Sequence, residues 1–570
     1  MHSVAFLKKY WLVILTTIAV SAFTALPSFF FFQNVGDDFR GIYPVFNSDA
    51  LYYQTRIQEI SDGHGELNHP YFFEHKDAVY PQAIGAEYFL YGITKLFGIA
   101  APALQIILDI IAPALIFLLT YLLLKRFSPN EYTAVLLPSF LYTVVMGGLF
   151  KPVNPQITLP ILLLFLIFWV KLILDDKKKL RNSMIAGVLW GLLFLTYFYH
   201  WSFVVVIVGL YGLILLAKKS YAELKYHSIM VGIAALIGIP YFVRVCQGVD
   251  APFHAETAVR VGLYFSHLPE SYPRLMVAIV WFLFFLWFRH YYRLQHDTRA
   301  TIVGVLLAGN IIYPNHQIIT GMIIENAVHW SWMPILIFAV SGHYLFSVVR
   351  KHQPTVKNIS VFFVIAVLLI LPAWRLYTFT WKPYLGHYAD GATEQRQYYA
   401  DVFNWVNAHT QKDDTILSDP RLMRFIPAYT HANVYNTEYA FNLPASDDEV
   451  VERYLLARFF DSDSGASGVN GQARILWSFA YESEKNTHTI AGTLAIPYEP
   501  KYSLAQEREK IEGVRAGLVK QGWGIALLNK YRIDYIVWDR NEKPEWSLGR
   551  YAELEEVARI GDVSVYQFKS

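Results

Sequence analysis

The segment Asn47-Ser48-Asp49-Ala50-Leu51-Tyr52-Tyr53-Gln54-Thr55-Arg56 gathers groups able to do chemistry between two strongly apolar regions. Its carboxylate, Asp49, stands at the head of the run Leu51, Tyr52, Tyr53, Arg56, Ile57 and Ile60. That spacing is the i, i+3, i+4 pattern of an amphipathic helix lying on a surface. At the start of such a helix a carboxylate meets unsatisfied N–H groups and is held in place. A carboxylate fixed in this way can accept a proton from a hydroxyl nucleophile. The segment continues through His64, His69, Glu74, His75 and Asp77, and Asp49, His69 and Glu74 are of types that can ligate Mg or Mn. The other reading of the same stretch is a solvated connector.

The elements that must position these residues are set by composition. Of 570 residues, 54% are hydrophobic and 16% charged, where a water-soluble chain carries about 25% charged residues. The mean hydropathy is +0.29. An integral membrane protein with a sizeable non-membrane part is expected. A net charge of +2 leaves no surplus of Lys and Arg to displace counterions from phosphates, which argues against nucleic acid as a partner. The single cysteine, Cys246, excludes an intramolecular disulfide and cysteine-based metal clusters.

Lys8-Lys9 followed by an apolar run to residue 32 reads as a retained signal anchor with a cytoplasmic N-terminus. The acidic loop 33–99 follows, with a helix expected in the membrane interface between Ile84 and Ile99. Glu87 belongs to the polar face of that helix. Further apolar spans lie at 100–124, 131–149, 157–174, 184–200, 202–217, 228–244, 274–288, 300–313, 330–347 and 358–373. The basic groups Lys8-Lys9, Lys125-Arg126, Lys177–Arg181, Lys218–Lys225, Arg289–Arg299 and Arg350–Lys357 then all fall on one side. The positive-inside rule makes that side cytoplasmic. The expected fold is a polytopic α-helical membrane protein of about 11 transmembrane helices, over residues 1–373, with a C-terminal extracytoplasmic α/β domain over 374–570. In that domain, helices are expected at Tyr398–His409, Val450–Phe460 and Ser503–Gln521, and strands at 415–417, 533–538 and 563–566. The stretch from Asp461 to Gln472 reads as a flexible loop.

This topology sorts the polar residues by side. Besides the first loop, the outer face collects Lys151, Asn154, Gln156, Tyr199, His254, Glu256, Arg260, Arg274, His316 and His329. Intramembrane and interfacial ionisable residues generally face a cavity rather than lipid. No phosphate-binding loop or dinucleotide fingerprint occurs, and the short cytoplasmic loops leave no room for a nucleotide-binding domain.

With an N-terminal anchor, a long first outer loop bearing an Asp, many spans and an outer C-terminal domain, the chain resembles the GT-C glycosyltransferases. Asp49-Ala50-Leu51-Tyr52-Tyr53…Arg56 is similar to the Asp-x-x-Tyr-Tyr segment of oligosaccharyltransferase catalytic subunits. It also sits where protein mannosyltransferases and aminoarabinose transferases carry a loop acid. The resemblance implies transfer of a sugar from a polyprenyl-phosphate-linked donor to a glycan, lipid or protein acceptor at the outer face of a cytoplasmic membrane, with Asp49 as general base. It implies substrate-contacting roles for Tyr53, Arg56, His69, Glu74, His254, Glu256 and His329, and donor-phosphate roles for Arg260, Arg274, His316 and Arg375. It also implies that a divalent cation, Mg or Mn, is a possible cofactor, with Asp49, His69 and Glu74 as its ligands. The chain departs from the oligosaccharyltransferase pattern in lacking a Trp-Trp-Asp motif. Transfer of a whole glycan to Asn, a transporter or flippase, and an envelope scaffold are the competing readings.

Overall fold

The computed structural model describes residues 2–47, 49–79, 81–144, 146–324, 329–330, 332–352, 396–442, 444–461 and 475–569. Ten of the eleven expected spans coincide with helices: α1 (His2–Val35), α4 (Ala101–Phe127), α5 (Glu131–Val144), α6 (Thr158–Leu174), α7 (Lys179–Thr196), α8 (Phe198–Ala217), α9 (Tyr221–Val249), α11 (Tyr272–Tyr291), α12 (Thr298–Ile312) and α13 (Trp332–His352). The eleventh, 358–373, lies outside the described residues. Among the described residues, six helices are long and apolar enough to cross a membrane, and the apolar helix Thr158–Leu174 is shorter.

Local chemistry sets the helix ends. α4 begins with Pro102 in its first turn and ends on Lys125 and Arg126, an arrangement that suits both the missing proline N–H and the helix dipole. The ends bearing the basic clusters meet one another. Arg299 Nε donates to the Arg126 carbonyl at 3.2 Å, and Lys179 pairs with Glu223. α7 and α9 pack closely through Gly187 and Gly191, where an added Cβ would lie 2.8 Å from the Met230 carbonyl oxygen and 2.6 Å from Ile237 Cβ. Small residues four apart permit this approach between apolar helices.

Two helices of the first loop stand apart from the spans. α2 (Asp49–Ser61) and α3 (Gly85–Phe97) pack together, close to the two helices expected from sequence. α2 does not lie on a surface, however: ten of its thirteen residues, Ala50–Ile57 with Glu59 and Ile60, are buried. α3 covers one side and a helix of the C-terminal region covers another.

The C-terminal region is an α/β layer. Apart from an antiparallel ribbon of β1 (Tyr264–Phe265) and β2 (Met322–Ile323) elsewhere in the chain, a five-stranded sheet runs in the order β4 (Asn433–Val434), β3 (Thr415–Leu417), β5 (Tyr535–Asp539), β7 (Val563–Phe568), β6 (Leu554–Ile560). β4, β3 and β5 run parallel to one another, and β7 is antiparallel to both of its neighbours, β5 and β6. Around it lie α14 (Tyr399–His409), α15 (Pro420–Tyr429), α16 (Asp447–Leu456), α17 (Ser478–Thr493) and α18 (Leu504–Lys520). Ser503 and Gln506 form a reciprocal capping box at the start of α18. Strands β4 and β6 and helices α15 and α17 were not legible in the sequence. Residues 462–472 of the expected flexible loop lie outside the described residues.

One hydrophobic core crosses the boundary drawn at residue 374. Leu51, Tyr52, Tyr71 and Phe72 from the first loop pack with Phe425, Ile416 and Val434. The β4 edge is covered by the same loop, with Val434 N–H donating to the Tyr71 carbonyl at 3.1 Å; covering an edge strand removes its exposed hydrogen-bonding row.

Candidate active site

The start of α2 is built by Asn47. Its Oδ1 accepts the Asp49 N–H at 3.0 Å, and its carbonyl accepts the Ala50 N–H at 3.0 Å. Asp49 is thereby the first helical residue, with a partly exposed carboxylate. Lys151 Nζ lies 2.5 Å from its Oδ2. Lys151 comes from the turn ahead of α6, so the ion pair joins the first loop to the segment between α5 and α6.

Both residues line a cavity of about 540 Å3, within the size range of ligand pockets. Aromatic residues are prominent in its wall: Tyr52, Tyr53, Tyr197, Phe198, Tyr199, Tyr241, Tyr439 and Phe441. The ionisable groups other than tyrosine are Asp49, Glu87, Lys151, His254 and His329. Lys151 is the one Lys or Arg among the described lining residues.

Beneath the cavity runs a buried polar chain. Tyr52 donates to Gln82 Oε1 at 2.8 Å, and Arg56 Nε donates to Glu87 Oε1 at 2.7 Å, both side chains buried. Burial opposes the Arg56 charge, but the Glu87 carboxylate together with Tyr52 and Tyr53 more than offsets it, and the guanidinium pKa is raised. Tyr53 is pushed well above the usual phenol range by burial and by the Asp49 carboxylate, and stays a neutral hydroxyl. On the opposite wall, Asn154 Nδ2 donates to the Tyr197 hydroxyl at 2.8 Å. That hydroxyl bonds His329 Nδ1 at 2.7 Å, and the His329 ring stacks on Tyr199 with centroids 4.3 Å apart.

Of the residues singled out in the sequence, Asp49, Tyr53, His254 and His329 line this cavity. Arg56 does not reach it as a substrate contact, because its guanidinium is committed to Glu87. His69 is buried in the turn below, where Nδ1 accepts the Phe72 N–H at 2.9 Å. Burial, with His75 and Arg453 nearby, holds its pKa well below the usual histidine value. Glu74 is drawn to the C-terminal region, accepting from Arg453 at 2.6 Å and from the Arg532 N–H at 2.7 Å.

Asp49, His69 and Glu74 therefore do not fit a metal. Each has a different partner, Asp49 already faces an ammonium, and no group of three His, Cys, Asp or Glu among the described residues could hold an ion.

The donor-phosphate cations are dispersed as well. Arg260 is fully buried, pairing with Asp447 at 2.5 Å and donating to the carbonyls of Phe441 at 3.0 Å and Ala445 at 2.6 Å. Glu256 accepts the Asp447 N–H at 2.5 Å. The helix α10 (His254–Arg260) is thus tied to the C-terminal region through Arg260 and Glu256. Arg274 is exposed in the first turn of α11. His316 bonds the Thr320 hydroxyl at 3.0 Å and is outside the cavity lining. Arg375 lies outside the described residues. Among the other cavity residues, the sequence sorts Lys151 to the outer face without a role, puts Glu87 on the polar face of the interfacial helix, and does not single out Tyr439. Lys151 had a signal in its position beside Asn154 and Gln156 in an outer turn, but nothing local paired it with Asp49.

No protein-family model matches this sequence, and no curated protein does. Among solved structures, the chain is similar to the archaeal oligosaccharyltransferase AglB from Archaeoglobus fulgidus in complex with an inhibitory peptide and a dolichol-phosphate. The identity is 12% and the TM-score 0.44, over 94% of this chain and 70% of that one. It is similar to ArnT from Cupriavidus metallidurans in the apo state, at 12% identity and TM-score 0.42 over 96% and 97% of the two chains. The ArnT structure bound to undecaprenyl phosphate gives 10% identity and TM-score 0.39 over the same shares, 96% and 97%. Both neighbours are GT-C glycosyltransferases.

Proposed function

We propose that this chain is a membrane glycosyltransferase that moves a sugar from a polyprenyl-phosphate-linked donor to a hydroxyl of a cell-envelope glycan, lipid or protein. The reaction takes place at the outer face of a cytoplasmic membrane, beneath the C-terminal α/β layer. The observation that carries this reading is the Asp49–Lys151 pair at 2.5 Å in an aromatic-walled cavity. A carboxylate and an ammonium side by side are the two charges such a transfer needs.

Asp49 accepts the acceptor's hydroxyl proton as the acceptor oxygen bonds to sugar C1. The bond from C1 to the phosphate oxygen breaks, and its electron pair leaves on the phosphate. Lys151 stabilises the negative charge that develops there. Tyr53 and His254 line the same cavity. Proximity of the two substrates supplies the rest of the rate.

The test is donor turnover by the purified protein in nanodiscs, with a panel of radiolabelled polyprenyl-phosphate sugars. Loss of turnover in Asp49→Asn with donor binding retained supports the reading. Absence of donor binding across the panel overturns it.

A further inference from the structure

A second pocket, of about 490 Å3, lies on the other side of the α2 start from the aromatic cavity. Three arginines of the C-terminal region, Arg396, Arg421 and Arg424, line it together with a single carboxylate, Glu438. Its charged lining is therefore net positive. Asn47, whose side chain accepts the Asp49 N–H, is also in its wall. The neighbours Glu438 and Tyr439 divide the two spaces: Glu438 lines the cationic pocket and Tyr439 lines the cavity holding Asp49.

Two of the arginines, Arg396 and Arg424, carry a buried Nε without a hydrogen-bond partner among the described residues. Arg424 Nε lies 2.7 Å from Glu438 Oε1 as an ion pair, and Arg421 pairs with Glu542. The Arg396 guanidinium lies over the Phe425 ring at 5.8 Å. Burial, with Arg421 and Arg424 nearby, lowers its pKa against the pull of Glu542 and Tyr399, so an incoming anion would add a partner to an incompletely satisfied cluster. Guanidinium groups suit planar or tetrahedral oxyanions because they donate in a fork.

We infer that this pocket binds an anionic group of the acceptor, a phosphate ester or a carboxylate, and so orients the acceptor hydroxyl toward Asp49. The acceptor role rests on the reading of Asp49 as general base; the anion site itself does not.

The experiment uses the full chain in nanodiscs of zwitterionic lipid, with radiolabelled inorganic phosphate as the probe and glucuronate as competitor. Phosphate binding should weaken about tenfold in Arg396→Gln, persist in Arg396→Lys, and persist in Lys151→Ala, which removes the cation of the other cavity. It should also weaken as salt rises, since screening acts on a partly exposed cluster. Tighter competition by glucuronate than by phosphate identifies a carboxylated acceptor, and the reverse a phosphorylated one. Equal binding in Arg396→Gln, loss of binding in Lys151→Ala, or no binding of either anion by the wild type overturns the site. If Arg396→Gln loses phosphate while Asp49→Asn keeps full sugar turnover, the anion site stands and the reading of Asp49 falls.

Discussion

Lys151 Nζ and Asp49 Oδ2 are 2.5 Å apart, so the proposed base and the one Lys or Arg among the described cavity-lining residues neutralise each other before any substrate enters. A donor phosphate would compete with Asp49 for that ammonium. Binding of one substrate would then release the carboxylate to serve the other, an order of events built into a single contact.

Lys151→Ala should weaken donor binding by about 10- to 100-fold, the range expected for losing a charge-assisted hydrogen bond of ~1.5–3 kcal/mol. Lys151→Arg should recover part of it. Equilibrium binding of a radiolabelled lipid-phosphate sugar measures this, and unchanged affinity in Lys151→Ala would remove Lys151 from the donor site.

The Arg56–Glu87 pair is closed and buried. Removing one partner leaves a buried uncompensated charge, at a cost of ~3–5 kcal/mol. Arg56→Met should accordingly lower the thermal unfolding midpoint in detergent, and Arg56→Met with Glu87→Leu should restore most of it. A single variant as stable as the wild type would show that the pair does not hold α2 against α3.

Arg260 should behave as a structural residue. Arg260→Ala strips Asp447 of its buried partner and frees two carbonyls, so the C-terminal region should become more susceptible to limited proteolysis. Donor affinity measured on the fraction that remains folded should be unchanged. A loss of donor affinity without increased proteolysis would place Arg260 at the phosphate instead.

Stability should depend on pH through Glu59, whose carboxyl is pushed up to about 7 by burial against the pull of Lys76. Its ordinary value is 4.5, so the folded state holds the proton more tightly than the unfolded one. Stability from this group is therefore present below pH 4.5 and lost as pH rises through about 7, at up to ~1.4 kcal/mol per pH unit. His69, depressed by burial, acts oppositely, costing stability as pH falls below 6.5. The difference between wild-type and Glu59→Gln unfolding midpoints isolates the first effect. A difference that does not change between pH 4.5 and 7 would contradict it.

Much of the scaffold was legible because its determinants are local. Apolar runs of span length placed ten helices, the 3.6-residue spacing placed α2, an apolar stretch interrupted by Glu87 and Lys95 placed α3, and Ser503 marked the start of α18. Strands β3, β5 and β7 announced themselves as β-branched and aromatic runs, whereas β4 has two residues and β6, Leu554–Ile560, carries three charges on a largely exposed strand. α15, with Pro427 inside it, reads as a broken pattern and is held by burial against α2.

The sequence by itself determined the apolar helices, the acid at the head of the first loop's helix, and an α/β ending, since propensity and hydrophobic period act between near neighbours. Only the tertiary structure decided which charge meets which. Asp49 and Lys151 are separated by a hundred residues of chain, as Arg260 and Asp447 are by nearly two hundred. Buried charges must find opposite partners or pay desolvation, and the partners available depend on how the helices and the C-terminal layer close over one another. That is why Arg56, Glu74 and Arg260, all candidate ligands among the polar residues, are held in ion pairs away from the cavity lining, while Lys151 is the cation beside Asp49.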